Sequence, residues 1–323
     1  MQVRQYRKGD EKSIAEIYNR AFQKQIDTLP GIYQYRKTTP EEIYHWRSGG
    51  ANSFWIIESD GQPIGYAQVR IEVERGEQEI PVLQFMPARS WDMNESNIAI
   101  MPEYQRRGVA TQLVHEIIKN HEQDAMMVTA HTFSDNLAGE SLFASCKFAL
   151  HDAFYYASFS QTKPLANSSV YESLDLKHLQ DPKFNMSKAD FRRAELKDAE
   201  AVRQLHEHNV FWCEECLTIG WNREYIEGKY GHTVFVLEHD GRVVGAMDYY
   251  KDGRIGIAGV LPEYRGKGFG SALFYCFLRE MKKAGLKTAF VDSGLTQTDA
   301  IKMYKRFNFT IQRRQNCWVK VLR

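Results

Sequence analysis

The chain has 323 residues, 43% of them apolar and 13% aromatic, enough material for two packed cores. Its formal net charge is +1 with no basic block, so no nucleic-acid surface is indicated, and no apolar run approaches the roughly 18 residues of a membrane span. Five cysteines in a chain this long do not read as a disulfide framework, and the N-terminal Met1-Gln2-Val3-Arg4 lacks the apolar core of a signal peptide; both point to a reducing cytoplasm.

In chain order, Val3-Arg4 with Asp10 opens a strand followed by a helical region. Phe54 to Glu58 and Ile64 to Ile71 read as two strands joined at the turn Asp60-Gly61. Asn97 to Met101 is a short apolar strand, followed by Pro102-Glu103-Tyr104-Gln105-Arg106-Arg107-Gly108-Val109-Ala110 and an amphipathic helix from Thr111 to Asn120. A further strand and helix end in Phe143 and Phe148. Gln161 to Lys188 is rich in Ser, Asn, Asp and Pro without a clean period, and reads as a linker.

Beyond the linker the order repeats. Phe191-Arg192 with Asp198 matches the start, and Thr233 to Leu237 and Val243 to Tyr249 flank Asp240-Gly241. Arg254 to Leu261 leads into Pro262-Glu263-Tyr264-Arg265-Gly266-Lys267-Gly268-Phe269-Gly270 and a helix from Ser271 to Lys282. Tyr304 and Phe309 close the series. The loop recurs at an offset of 160 residues and the hairpin turn at 180, so the first half carries about twenty extra residues, around Val73 to Asp92, with no readable role. The expectation is a duplicated α/β domain of the usual ~150 residues: residues 1–160 and 189–323, joined by 161–188.

A strand, a basic glycine-containing turn and a helix start together make an anion cradle. Successive backbone N–H groups converge in the turn, with the positive end of the helix dipole behind them. Small residues at Gly108/Ala110 and Gly268/Gly270 let a phosphate approach the backbone. Two copies with flanking cations argue against ordinary helix caps. A dinucleotide fingerprint fits less well: Ser271 stands where its third glycine belongs, and Gln105-Arg106-Arg107-Gly108 has no early glycines. A Walker sequence is absent.

The pattern Gln/Arg-x-x-Gly-x-Gly/Ala after a strand and opening a helix resembles the acyl-CoA signature of the GNAT superfamily of N-acetyltransferases. Both copies fit it, and the resemblance covers nearly all the chain as two tandem domains. It implies an α/β (α+β) fold, each domain a mixed, mostly antiparallel sheet flanked by helices. It also implies that the backbone of Gln105, Arg106, Arg107, Gly108, Val109, Ala110 and Thr111 holds a coenzyme A pyrophosphate. Arg265, Gly266, Lys267, Gly268, Phe269, Gly270 and Ser271 are the second such set. The splayed strand ahead of each loop, at Ile100/Met101 and Val260/Leu261, would hold the pantetheine arm and thioester.

Many members carry Asn-x-x-Ala-x-x-x-Tyr-x-x-x-Gly-Phe in a later helix. The second half reads Gln297-x-x-Ala300-x-x-x-Tyr304-x-x-x-Asn308-Phe309; the first reads Asn136-x-x-Gly139-x-x-x-Phe143-x-x-x-Lys147-Phe148. The family tyrosine often protonates the departing thiolate, which a phenol allows and a phenyl ring does not. The resemblance thus makes the second half the catalytic candidate through Tyr304, with Asn136 and Gln297 beside the cofactor and the first half a candidate non-catalytic domain. Tyr304 also reads as a packing residue between helix and sheet. The implied co-substrate is acetyl-CoA without a metal, and the implied partner a small-molecule or peptide amine, with no nucleic acid and no membrane. The competing class is an acyl-CoA-binding module without turnover.

Trp212, Trp221, Tyr225 and Tyr230 fall where such enzymes build an acceptor wall, and core packing explains them as well. Glu214, Glu215 and Asp248 could take the acceptor's proton, but each reads first as a solvated charge. Cys213-Glu214-Glu215-Cys216 is a single pair, weak for zinc even with His206, His208 and His232 in the chain, and reads as two ordinary thiols.

Overall fold

The computed structural model of the chain describes residues 1–28, 37–48, 52–75, 79–85, 98–154, 166–180, 189–209 and 215–323. It divides into two compact units. Unit 1 comprises Met1–Val170, Gly294–Thr296 and Arg313–Arg323; unit 2 comprises Tyr171–Ser293 and Gln297–Gln312. These bounds differ from the contiguous halves 1–160 and 189–323, because the chain's last residues return to pair in the first unit.

Unit 1 begins with β1 (Gln2–Gln5), α1 (Glu11–Ala21), α2 (Gln23–Thr28), α3 (Pro40–Ser48), β2 (Asn52–Ser59) and β3 (Gln62–Arg75). It continues through β4 (Glu79–Phe85), β5 (Ile98–Ile100), α4 (Val109–His121), β6 (Met127–Phe133) and α5 (Leu137–Ser145). Short strands β7 (Ala149–His151), β8 (Ala153–Phe154) and β9 (Ala166–Asn167) follow, and β10 (Ser169–Asp175) leads into unit 2. There lie β11 (Asp190–Arg193), α6 (Ala199–Asn209), α7 (Ile219–Ile226), β12 (His232–His239), β13 (Arg242–Tyr250) and β14 (Ile255–Val260). After them come α8 (Phe269–Lys283), β15 (Thr288–Gly294), α9 (Thr298–Arg306) and β16 (Thr310–Val321), whose end belongs to unit 1.

Both hairpin turns have the expected geometry: Asp60 and Gly61, like Asp240 and Gly241, all have positive φ, the twist that joins right-handed strands without splaying them. In unit 1 the sheet order is β1-β2-β3-β4-β6-β16, with β5 beside β3 and β7 beside β16. Only β4 and β6 run parallel among the register-matched pairs, from Val82↔Met127 to Phe85↔Ala130. The closing strand pairs Gln315 with Phe133 through Val321 with Met127. In unit 2 the order is β11-β12-β13-β14, all antiparallel. There β15 makes one isolated parallel bridge, Phe290 to Arg254 just ahead of β14.

Helices cover both faces of each sheet. In unit 2, Leu273, Phe274, Phe277 and Met281 of α8 fill one face, while Val202 and Leu205 of α6 and Tyr225 of α7 fill the other. In unit 1 the same places are taken by Leu113, Val114 and Ile117 of α4, and by Ile14, Ile17 and Tyr18 of α1. The segment read as a linker is partly core: Leu174 and Leu176 pack into unit 2. Residues 161–165 and 181–188 of it lie outside the described residues. Of the extra residues in the first half, Val73 to Arg75 and Glu79 to Phe85 extend a β3–β4 hairpin, while 76–78 and 86–97 lie outside the described residues.

An ion-pair motif repeats with the domain. Arg4 bonds Asp10 at 2.7 Å and Glu58 at 2.6 Å; Arg192 bonds Asp198 at 2.7 Å and Glu238 at 3.0 Å. Burial pushes both aspartates up, yet the arginine hydrogen bonds hold them below the usual carboxylate range. This explains why the Arg-then-Asp pair was visible in both halves.

The departures at the Gly-Phe position also have a physical reading. After α5, Lys147 has φ 62°, the Phe148 N–H reaches Phe143 O at 3.0 Å and the Lys147 N–H reaches Ala144 O at 3.0 Å. After α9, Asn308 has φ 63° with the matching bonds from Phe309 to Tyr304 O and from Asn308 to Lys305 O, each 3.1 Å. This is a left-handed helix stop, for which glycine is best, asparagine acceptable and lysine strained. Lys147→Gly is therefore expected to stabilise unit 1 by roughly 0.5–1 kcal/mol, the left-handed strain outweighing glycine's chain entropy. A denaturant midpoint that fails to rise would show that Lys147 is not strained.

Candidate active site

Each anion loop follows the same backbone path. Pro102–Tyr104 and Pro262–Tyr264 form one 3-10 turn each, then Gln105 and Arg265 are extended. Next come positive φ values at Arg106 (58°) and Gly266 (72°), and again at Gly108 (76°) and Gly268 (89°), which cap α4 and α8 without a side-chain bond. A Cβ at Gly108 or Gly268 would meet nothing within 4 Å, so space is open in front of both helix starts. The leading side chains explain the Gln/Arg of the motif: Gln105 Nε2 donates to Ile100 O at 2.8 Å, and Arg265 Nε donates to Val260 O at 3.2 Å. Each long donor folds back on the last carbonyl of the strand and pins the loop to it.

The register shows why those carbonyls need a donor. Gly245 faces Val260, and the Leu261 N–H reaches Val244 O at 2.9 Å. Gly245 and Val260 are thus a non-hydrogen-bonded pair, and the Val260 N–H and C=O point away from β13. Unit 1 matches: Gly65 faces Ile100, and the Met101 N–H reaches Ile64 O at 2.8 Å. β4 and β6 pair in parallel up to Phe85↔Ala130, and Arg254, just ahead of β14, bridges Phe290 of β15; among the described residues no parallel ladder runs on from these pairs to Ile100 or Val260.

In unit 1 a cavity of about 740 Å³ is lined by both β5 and the end of β6. Ile100, Gln105, Arg106, Gly108, Val109, Ala110, Thr111 and Asn136 all line it, as do Phe143 and His131. Met101 and Arg107 do not: Met101 is buried in the core against α1, and Arg107 lies over the Tyr104 ring. Asn136 also caps α5, accepting from the Gly139 N–H at 3.1 Å. In unit 2, Arg265, Gly266, Lys267 and Gly268 are exposed, Phe269, Gly270 and Ser271 form the first turn of α8, and Leu261 is buried in the core against α6. Gln297 caps α9 in position only, with no side-chain cap bond.

Tyr304 is 5% exposed on α9, its ring 5.3 Å from that of Phe274 and 5.6 Å from that of Phe309. Burial, then the carboxylates of Asp292 and Glu172, drive its hydroxyl well above the ordinary phenol range, so it stays protonated. Glu172, buried on β10, is itself pushed up to about 7 by desolvation.

Asp248 is no solvated charge. It is fully buried, accepting from Tyr225 OH and from the Ile257 N–H at 2.6 Å, with His232 Nδ1 2.6 Å from its Oδ2. The β13–β14 register slips by one residue between Met247 and Tyr249, and the carboxylate satisfies the N–H that this bulge frees. Trp221 stacks on Tyr225 at 4.8 Å and on Tyr230 at 5.4 Å, so these rings pack on one another. Trp212, Cys213 and Glu214 lie outside the described residues. Cys216 is disulfide-bonded, which corrects its reading as an ordinary thiol. Among the described residues no group of His, Cys, Asp and Glu is arranged to hold a metal ion, and no helix is long and apolar enough to cross a membrane.

Two repeats of strand, loop and left-handed glycine at a helix start, each on a mostly antiparallel sheet flanked by helices, make a tandem α/β fold. The chain matches the model of the acetyltransferase (GNAT) family over residues 12–148 and 198–309, and it belongs to that family, whose members transfer an acyl group from acyl-CoA. Over 81 residues it is 35% identical to mycothiol acetyltransferase of Streptomyces griseus subsp. griseus, a match spanning 24% of this chain and 26% of that relative. A tandem GNAT protein from the clavulanic acid biosynthesis pathway superposes with a TM-score of 0.65 at 14% identity, covering 100% of this chain and 98% of that one. A GCN5-related N-acetyltransferase from Sphaerobacter thermophilus gives 0.61 at 15% identity, over 100% and 96%. At these identities the structural likeness is one of fold.

Proposed function

We propose that the chain is an N-acetyltransferase that moves acetyl from acetyl-CoA to a primary amine by direct attack, with turnover in unit 2 and Tyr304 as general acid. The observation that carries this reading is the second anion loop after a strand whose Val260 N–H points away from β13, with a buried, protonated Tyr304 in the same unit. The loop backbone would hold the pyrophosphate, the Val260 N–H would bond the thioester oxygen as it gains charge, and Tyr304 would protonate the sulfur. Proximity supplies much of the acceleration.

For unit 1 a second reading is favoured by its cavity. The cavity is lined by the first anion loop and by Phe143, which has no proton to give. That unit would bind acyl-CoA and turn over little. Calorimetry with coenzyme A tests both parts. Two sites are expected, with Gly108→Val and Gly268→Val each removing one. The added branches would strain a positive φ and fill the space a phosphate needs. Gly108→Val should leave most of the turnover, and Gly268→Val should abolish it. No binding at millimolar coenzyme A would overturn the acyltransferase reading.

A further inference from the structure

We infer that His232, oriented by Asp248, is the proton acceptor for the amine in unit 2; this rests on the acyl-transfer reading above. An alkylamine reaches the enzyme as an ammonium ion and has no lone pair until it loses a proton. The pair sits where that loss is needed. His232 opens β12 opposite Tyr250, and Asp248 lies opposite Val234, so both face α6 and α7. The Ile257 N–H bonded by Asp248 belongs to β14, between the bridge at Arg254 and the free N–H of Val260. The network therefore touches β14 at Ile257, ahead of Val260 on the same strand, on the face away from α8.

The hydrogen bonds fix what the ring can do. The Tyr225 hydroxyl and the Ile257 N–H both donate to Oδ1, and Oδ2 faces His232 Nδ1. A carboxylate so placed keeps the proton on Nδ1 and the lone pair on Nε2. Among the described residues Nε2 has no hydrogen-bond partner, and the side chain keeps 7% of its surface exposed. The neighbouring groups do not compete for a proton near neutrality. Tyr225 lies under burial far above its ordinary range, and burial, then Asp248, pushes Tyr250 up to about 12. Tyr230 is raised mainly by its bond to Glu224, and His206 on α6 is lowered by burial. Arg254 lies over the Tyr250 ring and is paired with Asp252.

Unit 1 supplies an internal comparison. With the same register, Asn52 opposite Arg70 and Phe54 opposite Gln68, it has Asn52 for His232 and Gln68 for Asp248. Phe143 stands there for Tyr304. Base, orienting carboxylate and acid occur together in one unit and are all replaced in the other.

In the step proposed, one ammonium proton passes to His232 Nε2, directly or through one water. The freed lone pair attacks the thioester carbon, and the C–S bond breaks with its electrons going to sulfur. The Tyr304 proton passes to sulfur, Tyr304 is reprotonated by the second nitrogen proton, and the imidazolium releases its proton to water. The balance is ammonium plus thioester giving amide, thiol and one proton.

The test uses the full-length chain. With an amine that is acetylated, His232→Gln should lower kcat/KM at least about 10²-fold. The KM for acetyl-CoA should hold, and the acid limb of the pH profile should move up toward the amine's own pKa. Imidazole should restore part of the rate to His232→Gly, and Asp248→Asn should shift the same limb. Ring-nitrogen NMR on the wild type needs no variant to fold: His232 should carry its proton on Nδ1 and leave Nε2 unprotonated in the neutral ring. A neutral ring protonated on Nε2, or a pH profile unchanged in His232→Gln, would overturn the inference. If no amine is acetylated, the acyl-transfer reading fails on its own, and the NMR result still decides whether His232 is built as a base.

Discussion

Tyr304→Phe is expected to lower turnover at least tenfold, about 1.4 kcal/mol in the barrier, and by as much as ~10⁴-fold if the phenol is the only acid. The substitution removes one hydroxyl and leaves the ring. Its packing on Phe274 and Phe309 should survive, since Phe143 occupies the matching place in unit 1, 5.1 Å from Phe148 and 5.9 Å from Phe85. Thermal stability and coenzyme A affinity should hardly change, so the loss appears in kcat. A thiolate leaves poorly without a proton, and the buried phenol stays protonated across the working pH range. The loss should therefore be present at every pH. Single-turnover release of free thiol, with saturating acetyl-CoA and amine, is the measurement. Full turnover in Tyr304→Phe would make Tyr304 a packing residue and remove the main reason for placing the chemistry in unit 2.

What the sequence disclosed and what it hid divide along the range of the interactions. The anion loops, the Asp-Gly turns and the Arg–Asp pairs are local, and each reads directly from residue type and spacing. The left-handed stop behind Lys147 and Asn308 is local too, but non-glycine residues disguise it. The return of β16 to β6 joins residues nearly two hundred positions apart, and an alternating strand does not name its partner. Asp248 was hidden for the same reason. A lone aspartate in a strand looks solvated until Tyr225, His232 and Ile257, from three other elements, are known to meet it. One trace was available: Gly256, a glycine inside a strand pattern, marks a bulge or a close approach.

Gly256 carries the last and largest structural prediction. A Cβ there would lie 2.1 Å from Asp248 Oδ2 and 2.6 Å from both Cγ and Oδ1, so glycine is required by a side chain rather than by its own backbone angles. Asp248 has no room to yield, because moving it breaks three hydrogen bonds and leaves a buried charge unpaired. Gly256→Ala should then cost about 3 kcal/mol of unit 2 stability, the range for disrupting a buried charged network. It should also lower turnover, because the bulge sets the path of β14 toward Val260. Asp248→Ala alone should be destabilising as well, since it orphans Tyr225 OH and the Ile257 N–H. The double variant separates steric from general effects: the alanine at 256 no longer has a carboxylate to strike, so its cost should largely vanish. A coupling of at least ~1 kcal/mol is expected in denaturant unfolding. Strictly additive losses would show that Gly256 is not held open by Asp248, and that the carboxylate does not shape the strand that ends at Val260.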